Sequence, residues 1–385
     1  MRRPRILAGL VLSLLLLGSV WEVSLVWAGS GTGGKGTEVW RPLIKRLIAD
    51  GARPEATRSL FARLGKAYDP VPMQVKIKEL HRVVLSPERV KPIQEGLIRL
   101  GFSPGRVDGR YGPRTARAIV AFQKKNGFKP RGLPYEQTLN RILKRIEERF
   151  RIKVEPPLIS RAVYRHSLTK SQLDQTRLYG LEHQDLFKRV ESEFGVPGEI
   201  ALGILTVETR LGTDLGQRPA LTTLASMSLG DGTGPVRARL RELKLNRVEA
   251  EWLKDQIRQK ADWAYSELKA LLAYAKANGH DPLVLPGSIY GAIGIGQFMP
   301  SNALKYGQDG NGDGRVDLFH PADAVLSLGK YLQVHGWGKR PGRERQRRVL
   351  YAYNRSDAYV NTVLAVADRL QEVRTKATGK DKPAP

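Results

Sequence analysis

The sequence predicts a mainly α-helical protein on three observations. Apolar residues recur at helical spacing, as at Ile93, Leu97 and Leu100. Val248 to Asn278 keeps one apolar stripe of Leu253, Ile257, Ala264, Leu268, Leu271 and Ala275 over many turns. Glycines stand where such patterns stop, at Gly101, Gly127 and Gly279, as helix C-termini favour. With 385 residues, 41% of them hydrophobic, the chain can bury a real core, and at roughly 150 residues per domain it divides into two or three domains.

The elements follow in order. Met1 to Arg5 is basic, Ile6 to Val20 is apolar but for Ser and Gly, and Val26 and Ala28 suit cleavage after Ala28. Residues 1–28 are read as a secretory signal peptide. The alternative is an uncleaved membrane anchor through residues 6–27; Glu22 and an apolar run short of the ~20 residues of a span argue against it. Gly29 to Gly36 is a linker. Two or three short helices fill residues 38–85, and Ser86-Pro87 marks a boundary. Residues 88–146 form a compact three-helix unit: one helix stops at Gly101, one starts at Pro113 and carries Ala116, Ile119, Val120 and Phe122, and one covers Tyr135 to Ile146. The largest region, 156–374, opens at Pro156-Pro157. Its expected helices carry the face Leu186, Val190, Phe194; the nearly all-apolar run Ile200 to Leu211; and the stretches Val248 to Asn278, Pro321 to Val334 and Ser356 to Arg374. A Lys/Pro-rich tail, 375–385, is expected to be disordered.

Lys and Arg number 64 against 38 Asp and Glu, a net charge of +26. Cleavage after Ala28 would remove Arg2, Arg3, Arg5 and Glu22 and change +26 to +24. Such a charge points to an anionic partner: nucleic acid, an anionic membrane or an acidic polymer. Export weakens the nucleic-acid reading, and no nucleic-acid motif supports it. The absence of Cys excludes disulfides, Cys zinc sites, a thiol nucleophile and a lipid-modified N-terminal Cys.

The run Ile200 to Leu211 holds one carboxylate that breaks its apolar pattern. Glu208 lies four residues after Ile204 and three after Leu205, on their face. A carboxyl among aliphatic groups resists ionisation, so its pKa should rise, as a general acid requires. The competing reading is a Glu paired with a buried arginine, with Arg210 or Arg218 as the candidates.

Three motifs in order carry a resemblance: Val207-Glu208-Thr209-Arg210-Leu211-Gly212, then Gly291-Ala292-Ile293-Gly294-Ile295-Gly296-Gln297-Phe298-Met299-Pro300-Ser301, then Ala352-Tyr353-Asn354. They resemble the membrane-bound lytic murein transglycosylase B family, over roughly Leu181 to Leu370 and more faintly Glu38 to Arg82. The resemblance implies a lysozyme-like helical catalytic domain and cleavage of peptidoglycan at the β-1,4 bond between N-acetylmuramic acid and N-acetylglucosamine. It implies that Glu208 acts alone, first as acid and then as base, closing a 1,6-anhydro ring without water and without a catalytic cofactor. Ordinary glycosidases use two carboxylates roughly 5–9.5 Å apart; the next acid here, Asp214, lies off the face of Glu208. Ser288, Gln297, Tyr353, Asn354 and Tyr359 match substrate-binding positions of the family. Gln297 follows a glycine ladder that lets a sugar approach the backbone. The basic segment from Trp337 to Tyr353 is shorter than in the best-known members and leaves both exo and endo action open.

Asp309-Gly310-Asn311-Gly312-Asp313-Gly314-Arg315 reads as the front of an EF-hand loop, with oxygens from Asp309, Asn311 and Asp313 and the carbonyl of Arg315. Position 12 is His320 rather than Glu. The family closes its loop with a slightly later Asp, which Asp323 matches, so the resemblance implies a structural Ca2+; a metal-free Asp/Gly turn is the alternative.

Finally, Val107-Asp108-Gly109-Arg110-Tyr111-Gly112 followed by Thr115-Ala116-Arg117-Ala118-Ile119-Val120-Ala121-Phe122-Gln123 resembles the peptidoglycan-binding domain fused to cell-wall enzymes. It would tether the enzyme to its polymer. The expected partners are glycan strands and other cell-wall proteins, not nucleic acid, and the expected location is the periplasm or cell envelope. A hydrolytic muramidase and a catalytically inactive wall-binding scaffold are the competing functions.

Overall fold

The computed structural model describes residues 38–377 except 129, 131, 133, 135, 152–161, 231, 244, 246 and 340. The expected signal, linker and C-terminal tail lie outside the described residues, save that the last helix runs to Ala377, past the expected end at Arg374. The helices are α1 (Arg41–Ala49), α2 (Pro54–Leu64), α3 (Val71–Val84), α4 (Pro87–Arg99), α5 (Pro113–Lys125), α6 (Glu136–Phe150), α7 (Lys170–Glu182), α8 (Gln184–Phe194), α9 (Gly198–Thr209), α10 (Ala220–Ser228), α11 (Gly234–Glu242), α12 (Arg247–Asn278), α13 (Pro300–Tyr306), α14 (Pro321–Val334), α15 (Arg343–Tyr353) and α16 (Asp357–Ala377). One two-stranded antiparallel sheet accompanies them, β1 (Arg218–Pro219) with β2 (Pro286–Gly287). The protein is mainly α, as its periodicity predicts.

The chain forms two compact units. Of the described residues, one takes 70–151 and 230–261; the other takes 38–69, 162–229 and 262–377. The first therefore adds α3, α11 and the beginning of α12 to the expected three-helix unit.

In that unit Val90, Ile93 and Leu97 of α4 meet a core shared with Ile119 and Phe122 of α5 and Ile142 and Ile146 of α6. Buried Gln94 holds the Asp-Gly-Arg-Tyr-Gly turn. Its Oε1 accepts the Gly109 N–H at 2.9 Å, and its Nε2 donates towards Asp108 Oδ1, the Arg110 carbonyl and Thr115 Oγ1, each at 3.1 Å. Gly109 has φ of 72°, a conformation that favours glycine.

The second unit is built around α9, whose residues are buried from Gly198 to Thr209 except Glu199 and Glu208. Three neighbours approach at small residues. A Cβ on Gly203 would lie 2.8 Å from the Val363 carbonyl of α16, one on Gly198 would lie 2.9 Å from Phe187 Cβ of α8, and Leu202 Cδ1 would meet a Cβ on Gly180 of α7 at 2.8 Å. Phe187, not the expected Leu186, joins Val190 and Phe194 in the core, one step round the helix. Trp40 is fully buried beside Phe61 and donates its Nε1–H to the Gly65 carbonyl at 2.7 Å, which fixes α1 and α2.

Because Gly203 lies against backbone, Gly203→Val should destabilise the protein by about 1–3 kcal/mol through overpacking. Urea unfolding measures this; an unchanged midpoint would show that the close α9–α16 approach is not needed.

Candidate active site

Helix α9 starts after Pro197, which cannot sit in a helix interior, and it was expected to run to Leu211. It ends at Thr209. Arg210 (φ 49°) and Leu211 (φ 64°) both take left-handed backbone, and Gly212 follows at φ 89°. The cause is Thr209, whose Oγ1 donates to the distant Ile295 carbonyl at 2.8 Å and accepts the Gly212 N–H at 2.9 Å. Two consecutive non-glycine residues in this region cost energy that the packed surroundings must offset. Glu208 thus occupies the last helical turn, at the edge where the buried helix reaches the surface.

Burial pushes the Glu208 carboxyl up to about 7 from 4.5; a nearby Tyr359 hydroxyl acts in the opposite direction without cancelling it. The C-terminal end of the α9 dipole also disfavours negative charge at this position. No arginine pairs with Glu208 among the described residues. Arg218 instead bridges Asp69, and Arg210 is exposed. Asp214 is exposed and turns onto the Gly216 N–H.

Tyrosines gather round the acid. Tyr359 and Tyr353 stack with centroids 6.4 Å apart and an interplanar angle of 13°. Burial first, and the Glu208 charge second, raise both phenols well above their ordinary range. Tyr359 Oη is buried without a partner at hydrogen-bonding geometry, yet lies close enough to favour the Glu208 carboxylate. Tyr164, which sequence reasoning missed, belongs to the same group: its phenol is raised by burial and also by Glu208, and it meets Ser356 Oγ at 3.4 Å. It lies in a short non-periodic stretch 44 residues before Glu208, with no signal to single it out.

The glycine ladder forms the opposite element of the site. Tyr353 Oη donates to the Gly296 carbonyl, and its ring meets Phe298 edge-on at 6.0 Å. Gly294 (φ 75°) approaches so closely that a Cβ would lie 2.5 Å from the Leu318 carbonyl. Gln297, next in the ladder, has φ of 52°, is half-buried, and donates Nε2–H to the Gly294 carbonyl at 3.1 Å. Ser288 holds the base of this loop, its Oγ accepting the Tyr290 and Ala292 N–H groups at 3.3 and 3.0 Å. Its proton stays free to be donated. Asn354 follows α15 in extended backbone, half-buried, with no hydrogen bond from its side-chain amide among the described residues. Glu208, Tyr353 and Tyr359 therefore share one environment, and Gln297 reaches it through the Gly296–Tyr353 contact.

The Asp309–Asp317 loop abuts the ladder at Leu318, whose carbonyl accepts the Ile295 N–H at 2.9 Å. Asp309 accepts the Gly312, Asp313 and Gly314 N–H groups; Asn311 and Asp313 accept the Asp313 and Arg315 N–H groups. Asp323 is fully buried. Its Oδ1 takes the Gly310 and Asn311 N–H groups and its Oδ2 the Asp317 N–H at 2.6 Å. Asp323 thus clasps both ends of the loop through amides. The donor chemistry of Asp309, Asn311, Asp313 and the Arg315 carbonyl suits a hard cation, although no three acidic or His side chains converge among the described residues.

The raised Glu208 has a consequence for stability. Between its unfolded value, 4.5, and about 7, the folded protein holds a proton that the unfolded chain has lost. This contribution is full below pH 4.5 and is lost as pH rises through 7. Glu208→Gln, always neutral, should exceed the wild type by about 1–3 kcal/mol at pH 8 and match it near pH 4, after allowing for the partial exposure of the side chain. Denaturant titrations at the two pH values test this; equal stabilities at both would contradict it.

The chain is similar to known proteins in sequence and in fold. The family model "Transglycosylase SLT domain" matches residues 135–347, and "Putative peptidoglycan binding domain" matches residues 86–142. Membrane-bound lytic murein transglycosylase B of Escherichia coli (strain K12) is 32% identical over 172 residues, which are 45% of this chain and 40% of that protein. The matched segment thus spans less than half the length of that relative. A Pseudomonas aeruginosa structure, SltB3 in complex with NAG-NAM-pentapeptide, has a TM-score of 0.50 at 16% identity, covering 88% of this chain and 80% of its own, and shares the fold. Soluble lytic transglycosylase SltB1 of the same organism is 22% identical with a TM-score of 0.46, covering 68% and 99%. With its family model spanning more than half of the sequence around Glu208, the chain belongs to the transglycosylase SLT domain family.

Proposed function

We propose that the protein is a peptidoglycan lytic transglycosylase of the cell envelope, and that Glu208 is its one acid and base. The observation that carries this is a carboxyl held near neutrality at the end of a buried helix, with tyrosines rather than a cation around it. With a value of about 7, Glu208 is substantially protonated at neutral pH and can protonate the oxygen between N-acetylmuramic acid and N-acetylglucosamine. The C1–O bond breaks, and the N-acetyl oxygen of the muramoyl unit stabilises the positive charge at C1. Glu208, now ionised, takes the proton of the C6 hydroxyl as that oxygen bonds to C1. The 1,6-anhydro ring closes, the acid is restored and no water is consumed.

The surroundings support this cycle. Tyr359 lowers the cost of the charged intermediate state of Glu208 without abolishing its raised value. Ladder glycines bring backbone close to a sugar, and Ser288, Gln297 and Asn354 offer the hydroxyl and amide groups that suit N-acetyl and hydroxyl partners. Tyr353 supplies an aromatic face. Residues 1–28, read as the export signal, lie outside the described residues; among those described, no helix is long and apolar enough to cross a membrane.

The Asp309 loop would hold a structural Ca2+ through Asp309, Asn311, Asp313, the Arg315 carbonyl and Asp323, which also braces the loop's ends. Such an ion would stiffen the segment that Leu318 ties to the ladder, and it takes no part in proton transfer.

Digestion of purified sacculi tests the activity. Mass spectra should show muramoyl ends one water lighter than hydrolytic ends, and Glu208→Gln should reduce release by about 10³-fold or more. Hydrated ends would establish the muramidase reading instead, and release unaffected by Glu208→Gln would remove Glu208 from the reaction. Activity should fall as pH rises above 7, because the acid form is lost. For the metal, millimolar Ca2+ should raise the melting temperature by about 2–4 °C in the wild type but not in Asp309→Ala; equal curves with Ca2+ and with chelator would refute the ion.

A further inference from the structure

We propose that His335 is a positioning residue: acting through Tyr331, it fixes the orientation of Tyr353 beside Glu208. The consequence for the reaction rests on the transglycosylase reading above, whereas the positioning itself rests on ring geometry.

The chain of contacts begins at the C-terminal end of α14. His335 caps that helix and donates its backbone N–H to the Tyr331 carbonyl at 3.0 Å. Its ring Nδ1 lies 2.7 Å from the same oxygen. A carbonyl only accepts, so Nδ1 carries the proton and the bond holds the imidazole in one orientation. The ring lies flat on Tyr331, with centroids 3.8 Å apart and an interplanar angle of 17°. Tyr306 of α13 closes the stack from the side, edge-on to Tyr331 at 5.1 Å and to His335 at 5.4 Å.

Tyr331 passes this constraint to the site. Its ring is buried and meets Tyr353 edge-on, at 4.9 Å and 85°, the arrangement that ring quadrupoles favour. Its hydroxyl donates to the carbonyl of Ala352, the residue before Tyr353, at 3.2 Å. It also meets Phe298, beside the glycine ladder, edge-on at 6.0 Å. Tyr331 thus holds both the ring of Tyr353 and the backbone that carries it. Tyr353 in turn donates to the Gly296 carbonyl and stacks on Tyr359. A tilt of the Tyr353 ring would disturb the ladder and the aromatic face of the site together.

His335 is half-buried and covers one face of Tyr331. Removing the imidazole would leave that face without its packing partner and give Tyr331 room to tilt. One ring separates His335 from Tyr353, so it acts on the reaction only through Tyr331.

The test reads the ring and the reaction separately. Carbon-13 NMR of the full chain with ring-labelled tyrosine follows Tyr353 without substrate, its signal assigned by its loss in Tyr353→Phe. His335→Ala should shift or broaden that signal, and His335→Phe, which restores a flat ring over Tyr331, should return it to the wild-type position. On soluble, peptide-free glycan, His335→Ala should lower kcat about tenfold with KM within about threefold, because a misoriented sugar still binds. His335→Phe should recover most of that loss, and Tyr331→Leu should reproduce the His335→Ala pattern. Phe61→Leu, a core substitution in α2 beside Trp40, should lower the unfolding midpoint yet leave kcat and the Tyr353 signal unchanged. A Tyr353 signal that stays in place in His335→Ala, a kcat unchanged by that substitution, or an equal loss in Phe61→Leu would overturn the proposal. A wild type that leaves glycan uncleaved would remove the transglycosylase reading alone, because the NMR arm decides the positioning without it.

Discussion

The structure depends on keeping one carboxyl neutral at the end of a buried helix. An exposed glutamate ionises well below neutral pH, whereas burial carries Glu208 to about 7. That requires a helix apolar on every side, which in turn needs neighbours close enough to cover it. Gly180, Gly198 and Gly203 permit this by removing the Cβ atoms that would hold α7, α8 and α16 away. The same constraint ends the helix abruptly: Thr209 turns from the helix to the Ile295 carbonyl, and the chain reverses through left-handed backbone. A carboxyl deeper in α9 would be sealed from any substrate; one beyond Thr209 would be solvated and acidic.

Tyrosine is the side chain that fits beside such a group. A cation would bind the carboxylate and restore its ordinary acidity, and an aliphatic wall would make the ionised state too costly to visit. Phenols do neither: they fill space, tolerate burial and offer a polar atom. Tyr164 and the Tyr353–Tyr359 pair come from stretches nearly 190 residues apart in the sequence, so the second unit must bring both to α9 before the acid has its environment. The Asp309 loop joins the same structure at Leu318, where its end hydrogen-bonds Ile295, the residue that also anchors Thr209.

Much of this was legible in the residues. Periodicity gives α12 and α14 nearly to the residue, because long amphipathic stripes with Pro and Gly at their ends leave few alternatives. Glu208 stands out as a carboxylate in an apolar run, and resemblance supplies Tyr353 and Tyr359. Other features depend on tertiary contacts. The early end of α9 follows from a threonine bond to a residue 86 positions later, and the choice of Phe187 over Leu186 follows from the position of Gly198. The resemblance supplies Asp323 as a metal ligand; that its oxygens also accept the backbone amides of Gly310, Asn311 and Asp317 depends on the folded loop. Tyr164 has no local pattern at all.

The central claim is the raised pKa of Glu208, and a direct titration of that carboxyl tests it. Carbon-13 NMR of side-chain-labelled glutamate, with the Glu208 signal assigned by its loss in Glu208→Gln, follows the group through its own ionisation. The account predicts a midpoint near 7. A midpoint near 4.5, the ordinary value for glutamate, would contradict it, because an acid already ionised at neutral pH could not begin the reaction.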